Sequence, residues 1–120
     1  MKPNSHTFYF LFLDIYDTNV ELAWTVVVPP DYHVKVVFNE FNTEYSADYL
    51  KVFDGCNDND PIIANYSGYW PTIEMKEKLT IFSSGNTLHL TFSSDDNHYL
   101  YGYGFIAFAY GVKKTGKIYI

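Results

Sequence analysis

Apolar positions recur at every second residue along much of this chain. Thr87–Phe92 alternates most cleanly, with Leu88, Leu90 and Phe92 on one face and Thr87, His89 and Thr91 on the other. Successive side chains of a strand point to opposite faces, so this period predicts half-buried strands. Leu22–Val28 sets Trp24, Val26 and Val28 on one face. Val34–Phe38 does the same with Val34, Val36 and Phe38, and turns Lys35 outward. Asp48–Phe53 places Leu50 and Val52 opposite Lys51. Phe8–Leu13 is apolar throughout, Leu79–Phe82 is a short run, and Phe105–Tyr110 closes the series. The intervening segments Pro29-Pro30-Asp31, Asp54-Gly55, Asn59-Asp60-Pro61, Ser84-Gly85-Asn86 and Gly102-Tyr103-Gly104 carry turn chemistry. One stretch, Ile73–Lys78, suits a helical turn. Strands at this spacing without helices between them predict an all-β, antiparallel two-sheet β-sandwich. Jelly-roll, immunoglobulin-like and barrel topologies all satisfy the pattern.

Length and composition narrow the class. The 120 residues suit a single domain, with a core over about 8–111 and with 112–120 as a tail or the start of a linker. Apolar residues make up 48% and aromatics 20%, which excludes a disordered chain. Tyr (12) and Phe (10) dominate the aromatics, and both favour strands. The net charge is -6 and there is no Arg. That balance excludes a nucleic-acid partner, which needs basic residues against phosphate, and an anionic membrane surface. The apolar run Phe8–Leu13 spans six residues, none in the chain is longer, and this gives no expectation of membrane insertion. It is also short for a leader and ends at Asp14 without a small-residue cleavage site, so it reads as a first strand. If the domain is extracellular, its secretion signal is expected upstream, in a longer parent chain. Cys56 is the sole cysteine, so neither an internal disulfide nor a cysteine zinc cluster can form. Taken by itself, that count leans towards an intracellular protein.

Catalytic chemistry finds no footing. There is no Gly-x-Ser-x-Gly elbow, and Ser83-Ser84-Gly85-Asn86 precedes no helix that could back a phosphate cradle. Cys56 sits in an acidic loop that blunts a thiol. His6, His33, His89 and His98 lack zinc-ligand spacing. Asp54–Asp60 lacks the order of an EF-hand loop and reads as a hydrophilic hairpin turn. Spacing by itself makes Glu44, Asp48 and Asp95 solvated loop acids. Asn65-Tyr66-Ser67 is a sequon, which makes Asn65 a candidate glycosylation site. Tyr45, Tyr49, Tyr69, Trp70, Tyr99, Tyr101 and Tyr103 lie off the core face and offer contact area at low entropic cost.

The order of motifs adds to this. Trp24 sits in a strand ending at Val28-Pro29, followed by Tyr32 and the run His33–Phe38. Then come Phe38-x-x-Phe41-x-x-Glu44 and the stretch Asp48–Gly55 (DYLKVFDG). Ile62-Ile63, Ser67-Gly68 and Pro71 follow, then Phe82–Asp95 and Gly104-Phe105-x-Ala107. Over about Tyr16–Tyr110 this series resembles the CUB domain family. The resemblance implies a jelly-roll-like sandwich of two antiparallel sheets in secreted or ectodomain proteins. Such modules mediate protein–protein and sometimes glycan contacts, and many hold a calcium ion at one end.

By the same resemblance, Glu44, Asp48 and Asp95 match the family's acidic Ca²⁺ ligands. Tyr16, eight residues before Trp24, matches a Tyr that buttresses them. Asp95 lies nine residues before Gly104, which favours it over Asp96. Carbonyls near Asn97 or His98 could add oxygens. The departures are the cysteines: Leu22 and Ser67 stand where family cysteines commonly lie, and the Glu44–Asp48 loop is shorter than usual. Losing two bridges forfeits ~2–4 kcal/mol each of restraint on the unfolded chain, which the aromatic load is expected to offset. The expected function is a non-catalytic extracellular module for calcium-dependent protein–protein recognition. A partner Lys would engage the acidic end, flanked by Tyr45, His98 and Tyr99. The alternatives are a structural spacer without a ligand of its own and a glycan-binding module.

Overall fold

The alternation in Thr87–Ser93 becomes a strand whose Leu88, Leu90 and Phe92 are buried while Thr87, His89 and Thr91 are half-exposed. The same logic builds the remaining elements of the computed structural model, which describes residues 8–96 and 104–115. In chain order these are β1 (Phe8–Leu13), β2 (Glu21–Val27), β3 (Tyr32–Asn42), β4 (Tyr49–Phe53) and β5 (Ile62–Tyr66). Then come the short helix α1 (Ile73–Glu77), β6 (Ile81–Phe82), β7 (Thr87–Ser93) and β8 (Gly104–Lys113). They form two four-stranded sheets, ordered β1-β8-β3-β6 and β2-β7-β4-β5, with every pairing antiparallel. The fold is the antiparallel two-sheet β-sandwich that the alternation predicts, and of the topologies the pattern left open it is the jelly-roll-like one that the family resemblance implies.

The core lies between the sheets. Val34, Val36 and Phe38 from one meet Leu50, Val52, Leu88 and Leu90 from the other. Phe105 is its aromatic hub, with centroids of Trp24, Phe38, Phe41 and Phe92 between 5.6 and 6.3 Å away. Aromatic pairs of this kind contribute about 0.5–1.5 kcal/mol each beyond area burial. That cohesion matters in a chain whose one thiol, Cys56, is exposed and free.

Several details depart from strict alternation. β3 continues past Phe38 to Asn42, with a register shift between Phe38 and Glu40. Such a bulge changes which face the next residues occupy. It turns Phe41 inward beside Phe38, where unbroken alternation would have pointed it out. β5 was invisible to a period-two reading because Ile62, Ile63 and Asn65 are all exposed on this edge strand. Trp24, expected inside, is half-buried because β2 is also an edge strand. β8 runs two residues beyond the expected core limit at 111, since Val112 and Lys113 pair with His33 and Tyr32. Lys35 and His89 point away from the core but are only partly exposed. Lys35 Nζ lies 5.3 Å above the Phe82 ring, and His89 Nδ1 is hydrogen-bonded with Thr25 Oγ1 at 2.8 Å.

Gly104 opens β8 at φ +84°, and a Cβ there would stand 1.8 Å from the Leu13 carbonyl oxygen. Only glycine lets β8 start this close to the end of β1.

Leu90, wholly buried in β7, should cost about 2–5 kcal/mol when truncated to Ala. Cys56→Ser should stay within about 0.5 kcal/mol of the parent. Urea unfolding followed by Trp fluorescence checks both; a large loss for Cys56→Ser would contradict its surface position.

Candidate metal centre

The registers bring three loops to one end of the sandwich. Leu13 pairs with Phe105, Asn42 with Gly104, and Ser93 with both Glu21 and Tyr49. The segments 14–20 and 43–48, and residues 94–96 after β7, therefore leave the sheets on the same side. They carry Tyr16, Glu44 with Asp48, and Asp95.

Between β3 and β4 the chain turns tightly. The Asp48 N–H donates to the Glu44 carbonyl at 3.1 Å, and Ser46 takes the left-handed conformation at φ 60°. Thr43 clamps the turn. Its hydroxyl donates to the Asp48 carbonyl at 3.0 Å and accepts from the Gly68 N–H at 3.0 Å, and its own N–H donates to the Gly68 carbonyl at 2.9 Å. The short loop thus aims the Asp48 side chain inward, where it is 2% exposed.

Asp48 is the junction of the site. Its Oδ2 accepts the Tyr16 hydroxyl at 2.5 Å, and its Oδ1 accepts the Asp95 N–H at 3.0 Å. The Tyr16 oxygen in turn accepts the Glu44 N–H at 3.0 Å, while its ring packs edge-on against Phe92 at 4.8 Å. Burial first, and then the bond to Asp48, push the Tyr16 phenol far above its usual range, so it remains a neutral donor. The Asp95 carbonyl accepts the Asn19 N–H at 2.8 Å, which ties the first loop to the third.

Glu44, Asp48 and Asp95 each present a carboxylate oxygen, and these oxygens lie within 4.8 Å of one another. Glu44 Oε2 is buried and has no hydrogen-bond partner among the described residues. A buried carboxylate oxygen without a partner is costly, and neighbouring acids add to the cost. Burial first, then the charges of Asp95 and Asp48, hold the Glu44 carboxyl above the usual carboxylate range. The donors are all hard oxygens, a set suited to Ca²⁺ rather than to softer metals that take nitrogen and sulfur. Carboxylates, nearby carbonyls and water could together supply the six to eight ligands such an ion takes.

The four residues linked in the sequence reading to one end of the sandwich do meet there. Tyr45 stands on the rim of the same turn, 78% exposed. His98 and Tyr99, with the carbonyl of Asn97, lie outside the described residues. Asn65 is exposed on the edge strand β5, opposite Lys51 of β4. Sequence reasoning missed Thr43 and the supporting part of Gly68. A hydroxyl residue at a strand end, directly before an acid, was the available signal.

A family model described as the CUB domain matches residues 6–107. The chain is 34% identical over 86 residues to a bone morphogenetic protein 1 homolog of Strongylocentrotus purpuratus, covering 68% of this chain and 12% of that protein. It thus spans a small part of that relative's length. The CUB1-EGF-CUB2 domain of human MASP-1/3 superposes with a TM-score of 0.75 at 26% identity, over 89% of this chain and 42% of that one. The MASP-1 CUB2 domain bound to Ca²⁺ superposes at 0.66 with 12% identity, over 90% and 96%, a likeness of fold.

The raised Glu44 carboxyl sets a pH dependence with a definite sign. The folded state holds this proton more tightly than the unfolded chain does. Ionisation therefore costs stability, which falls as pH rises from the unfolded pKa through the folded one and is level above it. In EDTA, Glu44→Gln should be more stable than the parent at neutral pH, and the gain should vanish on acidification. Paired thermal melts across pH check this; a Gln variant less stable at neutral pH would contradict it.

Proposed function

The chain belongs to the CUB domain family, and from that premise we propose that it is a non-catalytic extracellular recognition module whose acidic end takes Ca²⁺ and then a Lys side chain of a protein partner. CUB domains are binding modules that generally carry no catalysis of their own. The observation that carries the finer reading is the buried, unpartnered Glu44 Oε2 within a trio of converging carboxylates. The CUB2 structure that holds Ca²⁺ shares this fold and supports the choice of ion.

When bound, the ion supplies positive charge that offsets three acids and cross-links their loops. The chain's own residues do the rest. Tyr16 holds one Asp48 oxygen, the Asp95 amide holds the other, and the Thr43 clamp keeps the turn between Glu44 and Asp48 closed. Carboxylate lone pairs that face outward can then accept N–H groups from a partner ammonium. Such charge-assisted bonds are stronger than neutral ones. Tyr45, exposed beside them, can pack along the aliphatic stem of that Lys.

Ca²⁺ at ~100 times its dissociation constant, bound by the folded state, should add about 2.7 kcal/mol of stability. Asp95→Ala should remove that gain and Asp96→Ala should keep it. Equal melting temperatures in millimolar calcium and in EDTA would overturn the metal assignment.

A protein ligand captured in calcium should be released by EDTA and should bind less well as salt rises, because exposed charge pairs are screened. Methylating the ligand's lysines or changing Asp95 to Ala should abolish capture with the fold intact, as read by near-UV circular dichroism. Capture that survives EDTA would move the recognition surface elsewhere on the sandwich.

A further inference from the structure

β1 is an edge strand with the sequence Phe-Tyr-Phe-Leu-Phe-Leu. Its odd residues serve the core. Leu11 is buried, Tyr9 and Leu13 pack against the cluster, and the Tyr9 hydroxyl donates to the Val27 carbonyl at 2.9 Å. Its even residues are Phe8, Phe10 and Phe12, and they stand 68%, 58% and 48% exposed. These rings are ordered into a stripe. Phe10 stacks on Phe12 at 5.7 Å and 14°, and meets Phe108 of β8 at 5.3 Å; Phe8 meets Tyr110 at 5.5 Å. At roughly 200 Å² for a whole aromatic side chain, the three exposures put about 350 Å² of ring in water. A contiguous apolar patch of that size is often functional.

The other edges carry protection. Proteins guard free edges with charge, shortness or irregularity, because an open edge templates pairing with another chain. β6 has two residues, β2 begins at the exposed Glu21, and β5 has exposed Asn65 near its end and a register shift against β4. β1 has six residues with no charge, no Pro and an unbroken register with β8.

We propose that β1 is a homotypic docking edge, at which two copies of this chain pair their β1 strands antiparallel about a two-fold axis. The two four-stranded sheets would then become one continuous sheet. The occupant is a second copy because the strand is its own complement. Residues directly opposite across an antiparallel pair share a face. Centred on Phe10, the pairing sets Phe10 on its mate, Phe8 against Phe12 and Tyr9 against Leu11. Centred on Leu11, it still sets Phe against Phe outside and Tyr or Leu against Leu inside. No like charges meet within the strand in either register. The three exposed rings of two copies sum to about 700 Å², of which sideways contact across the pair covers only a part, well short of the ~1,200 Å² of a standard stable interface. The strand edges add to this, and the result is a reversible dimer. The net charge of -6 makes the copies repel at a distance, so added salt should strengthen the pairing, the reverse of the lysine contact at the acidic end.

Sedimentation equilibrium over a concentration series, with amide hydrogen exchange at both extremes, tests this on the whole chain. The average mass should rise with concentration and salt, and the amides of Phe8–Leu13 should exchange more slowly in the concentrated sample. Phe10→Lys, at an exposed position, should melt like the parent and associate about tenfold or more weakly, because its charge meets its own mate or an apolar ring. Phe82→Glu, on the same face at the far edge, should dimerise as the parent does. A monomer at every soluble concentration, or undiminished association of Phe10→Lys, would overturn the proposal. So would equal loss in Phe82→Glu, which would mean that whole sheet faces stack. Binding of a monomer to neutral phosphatidylcholine vesicles would overturn it in favour of a lipid surface.

Discussion

Asp48 is a carboxylate held almost entirely out of water, and the end of the sandwich is arranged around it. A buried acid is tolerated when its oxygens are bonded, and here the two bonds come from different loops. The Tyr16 hydroxyl reaches it from the β1–β2 loop, and the Asp95 amide reaches it from the β7–β8 loop. One side chain therefore sets the relative positions of three loops. Asp95 is brought near Asp48 by the second of those bonds, and Glu44 by donating its N–H to the Tyr16 oxygen and accepting the Asp48 N–H at its carbonyl. The site's excess negative charge is a consequence of this scaffold.

The body beneath is held by apolar and aromatic packing. With one exposed thiol, the chain has no internal bridge to restrain its unfolded state. Phe105 gathers Trp24, Phe38, Phe41 and Phe92 about it, drawing on both sheets. The bulge after Phe38 makes this possible by letting two phenylalanines three residues apart enter the same core. Phe92 also supports the ring of Tyr16, so the core and the acidic end share a wall.

The domain then offers two surfaces with different physics. The acidic end presents converging carboxylates and directed hydrogen bonds. The β1 edge presents uncharged rings on a strand that pairs on one side only among the described residues. The two lie on different parts of the sandwich, the first at a loop end and the second along a sheet margin.

Most of the architecture was legible in the sequence because alternation is a local property of strands with one buried face. Leu88, Leu90 and Phe92, or Val34 and Val36, declare their face without reference to anything distant. The family resemblance named Glu44, Asp48, Asp95 and Tyr16 as a set, although they come from three loops and spacing by itself gave solvated acids. Four features waited for the tertiary structure. The β3 bulge and β5 have no clean period to read, since a register shift and an exposed edge strand both break alternation. The Thr43 clamp depends on Gly68, which approaches only when the folded sheets bring the loops together. The exposure of Phe8, Phe10 and Phe12 depends on β1 lying at a margin. Composition records that a residue is apolar, but only the packing of neighbouring strands decides whether it is covered.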